Sequence, residues 1–406
     1  MINFRLSARP TAISLLGAAL LAACGGGDPS IPGSGAPAGA PSTKGSFTSL
    51  VTFGDSLSDL GSYAPATSLP GNGAAPYFGG KFTVNIDGNL GRVWVENLAT
   101  TMGLLVTPAE VGFAGASVKC PAKLVDAALA TTCTGYGQGG ARVTDPNGIG
   151  HTSASGGLAA LTVPVVTQIS NHLAAFGGSF KSSDLVLVWA GNNDAFAQFG
   201  AFTAAATAIQ AQAAQGKITA DQANKQLYDA QTAAQNGMKK AAQELTALVR
   251  GQILAKGGKY VAVFNLPDSS LTPFGATLPA NVKAVLVTLV DTFNLWLRDG
   301  LTNQPVQWID QNTPGKNVYA NPAKYGLVNN TVPTCDAAKI QALTGGAVSD
   351  GSSLFCNGTP GAPYNGLRAG ADINTWQFAD AVHPTPGGHK IISDYVTSQL
   401  KAFGWL

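Results

Sequence analysis

Gly54-Asp55-Ser56-Leu57-Ser58-Asp59-Leu60-Gly61 follows an apolar run at residues 47–53 that reads as a β-strand. This order puts Ser56 at the mouth of the first strand of an α/β fold, in a small glycine-flanked turn that holds a hydroxyl toward solvent. Serine is a poor nucleophile until a base takes its proton, so the stretch gains meaning only from a partner elsewhere. The chain has four histidines, His151, His172, His383 and His389. Of these, His383 alone has a carboxylate three residues before it, in Asp380-Ala381-Val382-His383-Pro384-Thr385. Serine, aspartate and histidine are the set used by hydrolases that attack acyl groups, here with Asp380 and His383 sharing one turn.

The 406 residues suffice for one large α/β domain or two smaller ones. Apolar residues make up 45% and charged residues 11%, with a formal net charge of +2. That balance describes a globular chain and lacks the basic footprint of a nucleic-acid binder. After residue 46, strand-like runs alternate with helical patterns, as expected of a parallel sheet covered on both faces. The clearest strands are residues 49–53, 184–190, 260–265 and 306–310. Each ends near a polar residue, and ligands of open α/β sheets gather at the carboxyl ends of strands. Helices are expected at residues 282–297 and 387–403. The Ala/Gln-rich stretch 201–256 is built of good helix formers. It reads as a helical hairpin on the domain surface, interrupted at Gly216-Lys217-Ile218-Thr219 and Asn236-Gly237, with a lid over the site as the alternative.

Residues 1–23 carry Arg5 and Arg9 ahead of a short apolar run, too short to span a membrane and fit for an export signal. The run ends Leu21-Ala22-Ala23-Cys24, which resembles a bacterial lipobox. That resemblance implies Cys24 as the lipid-bearing first residue of the mature protein, the alternative being an ordinary cleaved signal. Gly25, where an Asp would favour inner-membrane retention, implies an outer-membrane lipoprotein of a Gram-negative cell. Residues 24–46, rich in Gly, Pro, Ala and Ser, read as the lipid anchor and a flexible tether. The remaining cysteines, Cys120, Cys133, Cys335 and Cys356, are even in number in an exported chain and read as disulfides. Three pairings are open. The local ones, Cys120–Cys133 and Cys335–Cys356, are favoured because each staples a Gly/Thr-rich loop; free core thiols are the rival. Long spacings and no neighbouring histidine speak against zinc.

Ester cleavage also needs donors where the tetrahedral oxyanion develops. Gly191-Asn192-Asn193-Asp194 puts an amide side chain at a strand's carboxyl end. Gln138-Gly139-Gly140-Ala141-Arg142 offers a backbone N–H on a glycine able to approach a ligand closely. With these blocks the chain resembles the GDSL esterase/lipase family, the SGNH hydrolases. The match runs over residues 46–406, through Gly54-Asp55-Ser56-Leu57-Ser58-Asp59, Tyr136-Gly137-Gln138-Gly139-Gly140-Ala141-Arg142, Gly191-Asn192-Asn193-Asp194 and Asp380-Ala381-Val382-His383-Pro384-Thr385. All four blocks stand in family order, which makes the match specific where a lone Gly-Asp-Ser-Leu is not. Asn265-Leu266-Pro267-Asp268 and Gly91-Arg92-Val93-Trp94-Val95-Glu96 also look like family segments, and the overall pattern, including Asn265-Leu266-Pro267-Asp268 and an inserted segment after the third block, looks nearest the lipase/lecithinase-like branch. One departure is Gly135 where the family has Asn before the aromatic. It lets Gly115, in Gly112-Phe113-Ala114-Gly115-Ala116-Ser117, compete with Gly140.

The resemblance implies a three-layer α/β/α fold with a central, mostly parallel sheet. The hydrolase domain would be residues 47–406, with the helical insertion at about 201–256. It implies Ser56 as nucleophile, His383 as base and Asp380 as its orienting partner. The Ser56 N–H, the Gly140 N–H and the Asn193 side chain would form the oxyanion hole. No metal or organic cofactor is implied. The expected partners are an acyl-ester substrate and, through the anchor, a membrane. Rival functions are a carbohydrate O-acetylesterase and a non-enzymatic surface-binding lipoprotein. Asp55 and Asp194 are expected to fix local structure, His389 to face solvent, and His151 and His172 to lie at the surface or behind the site. Trp94, Trp376 and Phe378 are expected either to wall an acyl site or to fill the core.

Overall fold

Residues 184–189 carry one polar side chain followed by five apolar ones, and all six are buried. A strand with no polar alternation has both faces covered, which is the signature of the middle of a parallel sheet. The computed structural model describes residues 35–67, 80–113, 115–151 and 159–406. Cys24, the export segment before it and the first part of the tether lie outside the described residues. The strands are β1 (Ser49–Gly54), β2 (Glu110–Phe113), β3 (Ala116–Lys119), β4 (Asp184–Trp189), β5 (Tyr260–Phe264) and β6 (Gln307–Ile309). The central sheet has the order β1-β4-β5-β6 and every pair is parallel, while β2 and β3 form a separate antiparallel hairpin.

The main helices are α1 (Trp94–Met102), α2 (Val165–Ala175), α3 (Asn192–Ala214), α4 (Ala220–Leu248), α5 (Ala280–Gly300) and α6 (Pro386–Ala402). They divide between the two faces of the sheet as the strand alternation requires. Val51, Phe53, Val186, Val188, Val261 and Val263 point into a core shared with α2 to α5. Leu50, Leu185, Leu187, Trp189, Ala262 and Phe264 point into the other, shared with α1 and α6. Each fully buried Val, Leu or Phe contributes roughly 1.5–3 kcal/mol of apolar burial. The chain is thus a three-layer α/β/α domain.

The helical stretch departs from its expected outline. α3 begins at Asn192, directly after β4, and α4 continues unbroken through Asn236-Gly237. Gly237 serves close helix approach instead, since a Cβ there would fall 2.3 Å from the Gln198 side chain. Met238, Ala241, Ala242 and Leu245 of α4 lie in the core, while Lys225, Tyr228, Asp229, Lys240 and Gln243 are exposed, so this half of the hairpin is a surface helix that buries one face. Alanine spaced among the few large residues lets α4 pack near α5. A Thr219–Gln222 capping box starts α4.

The tether expectation is also corrected for residues 38–45. Gly39 N–H donates to the Val306 carbonyl at 3.2 Å and the Gln307 side chain returns a bond to the Gly39 carbonyl at 2.7 Å. Trp405 and Tyr260 bind the Pro41 and Lys44 carbonyls. A segment without bulky side chains can lie flat against the chain that leads into β6 and meet its backbone groups. Disulfides join Cys120 to Cys133 and Cys335 to Cys356.

His389 does not face solvent. It is fully buried at the start of α6, and burial pushes its imidazole down to about 3. His172 is 1% exposed, stacked on Phe176 and Phe180, and burial pushes it down to about 4. His151 is half-buried and bonded to Thr162 at 2.8 Å. A histidine held neutral in the fold but free to charge when unfolded stabilises the fold above its ordinary value near 6.5. That stability is lost as pH falls toward the folded value. Between pH 7 and pH 5, His172 alone should cost roughly 2 kcal/mol. His172→Phe should therefore lose about that much less stability over the same interval, read from urea unfolding at both pH values.

Candidate active site

β1 delivers the Ser56 turn, and its last residue is a glycine for a geometric reason. A Cβ on Gly54 would lie 2.2 Å from the Trp189 carbonyl oxygen of the neighbouring β4. The Gln168 side chain of α2 clamps this residue from behind, accepting from Gly54 N–H at 2.9 Å and donating to its carbonyl at 2.8 Å. Asp55 caps the single 3-10 turn Ser56–Ser58 by accepting the Leu57 N–H at 3.1 Å. Its other oxygen accepts from Asn192 at 2.9 Å. Burial pushes Asp55 up to about 6, with these bonds opposing.

His383 reaches Ser56 across 327 positions of sequence, its Nε2 lying 2.8 Å from Ser56 Oγ. Its Nδ1 lies 2.8 and 2.9 Å from the two oxygens of Asp380. An ionised carboxylate only accepts, so this network assigns the ring proton to Nδ1 and leaves the Nε2 lone pair facing the hydroxyl. Asp380 also accepts the backbone N–H groups of Val382 and His383 at 2.9 and 2.8 Å, and that of Ser353 at 2.8 Å. Ser353 sits three residues before Cys356, inside the loop closed by the second disulfide. Burial works against ionising Asp380, but the imidazole and the converging donors outweigh it and hold the carboxyl well below the usual carboxylate range. Burial likewise works against charging His383, and Asp380 overrides it, so the imidazole is held above its ordinary 6.5. The Phe82 ring lies 4.9 Å from the imidazole, centre to centre.

Residues 134–136 run parallel to the outer edge of β1, with Thr52 N–H bonded to the Thr134 carbonyl and Tyr136 N–H to the Thr52 carbonyl. This edge carries the following glycines up beside Ser56. Gly139 N–H donates to Asp59 at 2.9 Å, while Tyr63 donates to the Gly139 carbonyl at 2.8 Å. Asp59 is itself pushed up to about 6 by burial. Gly140 has φ +78°, and a Cβ there would meet the Ile149 carbonyl oxygen at 2.1 Å, so both backbone and space demand glycine. The rival, Gly115, is exposed in the turn between β2 and β3, whereas Gly140 lines the same cavity as Ser56.

Asn193 stands in the first turn of α3, where the helix dipole favours negative charge. One N–H of its amide is spent on the Ala141 carbonyl at 2.9 Å, which orients the group and leaves the second N–H. Asp194 accepts from Arg142 Nε and Val143 N–H, each at 3.0 Å. Ser56, Gly140, Asn193, Asp380 and His383 all line one cavity of about 1350 Å³. Phe378 lines it too; Trp94 instead lies fully buried in the core against Trp189 and Phe264, and Trp376 is half-buried. Among the described residues, no group of three or more His, Cys, Asp or Glu side chains is gathered for a metal ion.

Gln168, Asn192, Ser353 and Phe82 were not singled out from sequence. Only Asn192, adjoining Asn193, carried a local signal.

Comparison with known proteins bears on this geometry. The pattern described as GDSL-like Lipase/Acylhydrolase matches residues 50–396. Proteins named Esterase EstA from Pseudomonas aeruginosa and Pseudomonas putida are each 32% identical over 148 residues, covering 36% of this chain and 20% of theirs. An uncharacterized protein from the trpE-trpG intergenic region of Pseudomonas putida is 31% identical over 156 residues, 37% of this chain and 23% of its own length. The chain thus spans only about a fifth of the length of the curated relatives it matches. The family pattern, by contrast, covers most of the chain and includes all four blocks, and on that extent the chain belongs to the GDSL-like lipase/acylhydrolase family.

Proposed function

We propose that this chain is a serine hydrolase of carboxylic esters, acting on lipid or short-to-medium acyl esters. Ser56 Oγ attacks the acyl carbon as its proton passes to His383 Nε2, and Asp380 stabilises the imidazolium that forms. The carbonyl oxygen becomes an oxyanion held by the N–H groups of Ser56 and Gly140 and by the free N–H of Asn193. The alcohol leaves with the proton from His383. Water then repeats the sequence and releases the acid. The observation that carries this reading is the 2.8 Å approach of Ser56 Oγ to an imidazole whose other nitrogen is fixed by a buried carboxylate. The family and the printed name of the Pseudomonas relatives support the same chemistry. The aromatic lining of the cavity, with Phe82, Phe196, Phe199 and Phe274, favours an acyl chain over a sugar. We further propose that residues 1–23 direct export, that Cys24 carries a lipid, and that residues 47–406 form the hydrolase domain at a Gram-negative outer membrane. Support comes from the lipobox-like Leu21-Ala22-Ala23-Cys24 and from relatives in Pseudomonas.

A fluorophosphonate probe should label the wild-type protein and leave Ser56→Ala unlabelled. An unlabelled wild type would overturn the reading and favour a binding role. Asn193→Ala should lower kcat by roughly 100-fold or more with p-nitrophenyl butyrate; an unchanged kcat would exclude it as an oxyanion donor.

The raised imidazole sets the pH dependence. Below its folded value His383 is protonated and cannot accept the Ser56 proton, so kcat/KM should fall as pH drops through a midpoint above 6.5. In Asp380→Asn the burial of His383 is opposed only by the weaker pull of Asp55 and Asp350. The residual activity should then show its acid limb at lower pH than the wild type, as read from kcat/KM profiles of the two proteins.

A further inference from the structure

α3 contributes more to the cavity than Asn193. Residues 193, 196, 200, 203, 204 and 207 all line it, one continuous helical face leading away from the proposed oxyanion site. The face begins buried at Asn193, is half-covered at Phe196 and Gly200, and is exposed at Ala204 and Thr207. It is therefore a groove that opens outward. Phe274 forms a wall of it, packed edge-on to Phe196 and Phe199 at 5.7 and 6.0 Å. The Phe274 N–H is bonded to the Ala381 carbonyl, between Asp380 and His383, so this wall is fixed to the catalytic loop.

Gly200 sits midway along this face. Glycine is among the weakest helix formers, and this one lies inside a 23-residue helix. No close packing demands it, because a Cβ at Gly200 would meet no heavy atom within 4 Å. Gly237, by contrast, is pressed against Gln198. What Gly200 leaves is room, and that room faces the cavity containing Ser56.

We propose that this face of α3 holds the acyl chain of the substrate, with Gly200 as the position that sets how long a chain is accepted. The proposal rests on Ser56 being the nucleophile. The acyl side is favoured over the alcohol because the leaving oxygen must lie toward His383 to receive its proton, while the groove starts at Asn193 beside the carbonyl oxygen. From residue 193 to residue 207 the helix rises about 21 Å. An extended hydrocarbon gains about 1.3 Å per carbon from its single-bond length, so the groove matches about sixteen carbons.

The test uses Gly200→Leu and Gly200→Trp, whose first added carbon meets open space. With p-nitrophenyl esters the alcohol stays constant while the acyl chain varies. The palmitate-to-butyrate ratio of kcat/KM should fall at least about tenfold, more for Trp than for Leu, since one methylene excluded from an apolar site already costs tenfold or more. An unchanged ratio overturns the proposal. So does a loss that follows alcohol length when acetates of long alcohols are compared. Palmitate binding to Ser56→Ala, followed by displacement of a fluorescent fatty acid, reads the groove without any chemistry. Adding Gly200→Trp should weaken that binding about tenfold, and no change overturns the proposal. Absence of any ester hydrolysis by the wild type would instead count against Ser56 as nucleophile, with the binding result still deciding the groove.

Discussion

A carboxylate sealed from water must find a hydrogen-bond donor for its oxygens inside the protein, and this requirement ties the site together. Asp55, Asp59 and Asp194 are all buried. Asp55 is satisfied by Asn192, Asp59 by the Gly139 N–H, and Asp194 by Arg142 and Val143. Each bond joins two of the stretches 54–59, 136–143 and 191–194. Leaving such an oxygen without its donor costs more than the bond itself is worth, because the desolvation is then uncompensated. The native arrangement of the three stretches meets every oxygen of these three carboxylates. In that arrangement Ser56, Gly140 and Asn193 converge on one cavity. The three aspartates act by fixing the positions of those groups.

Asp380 is buried to the same degree and behaves oppositely. Burial raises Asp55 and Asp59 toward neutrality, whereas Asp380 is held ionised. The difference is a partner that can take up positive charge. Amides and backbone N–H groups reduce the cost of a buried carboxylate, but an imidazole in contact reverses it. The gain is mutual, since His383 is raised for the same reason. A base that holds its proton more firmly is the better acceptor from a hydroxyl, provided the medium is above its midpoint. Ser353 N–H adds to this balance, and its loop is closed by Cys335–Cys356. The disulfide therefore bears on the electrostatics of the site although it lies outside it.

The four central strands were legible to within a few residues because burial on both faces leaves uninterrupted apolar runs. The short distance between Asp380 and His383 in sequence also made their pairing readable. Contacts that span the chain left no such trace. Gln168 meets Gly54 over 114 positions, and no local pattern marks a glutamine as the clamp of a turn. His389 looked polar and exposed because a histidine near a helix start usually is; packing of α6 onto the Phe82 segment buried it instead. Trp94 belongs to the core because its ring meets Trp189 and Phe264, which come from different strands. The Ala-rich stretch misled in a different way. Alanine is ambiguous between an exposed helix and a closely packed one, and only the neighbours of α4 decide it.

That ambiguity bears on how the cavity is built. A mobile cover would need few buried contacts along its length. α4 has Met238, Ala241, Ala242 and Leu245 in the core, and Gly237 lets it press against Gln198 of α3. α3 is thereby held on the side away from the cavity, while its first residue comes three positions after the end of β4. The helix is fixed from both sides: the sheet determines where it starts, and the hairpin determines where it points. A helix so held is suited to be a fixed wall rather than a lid, and a fixed wall is what allows one missing side chain, at Gly200, to define a space.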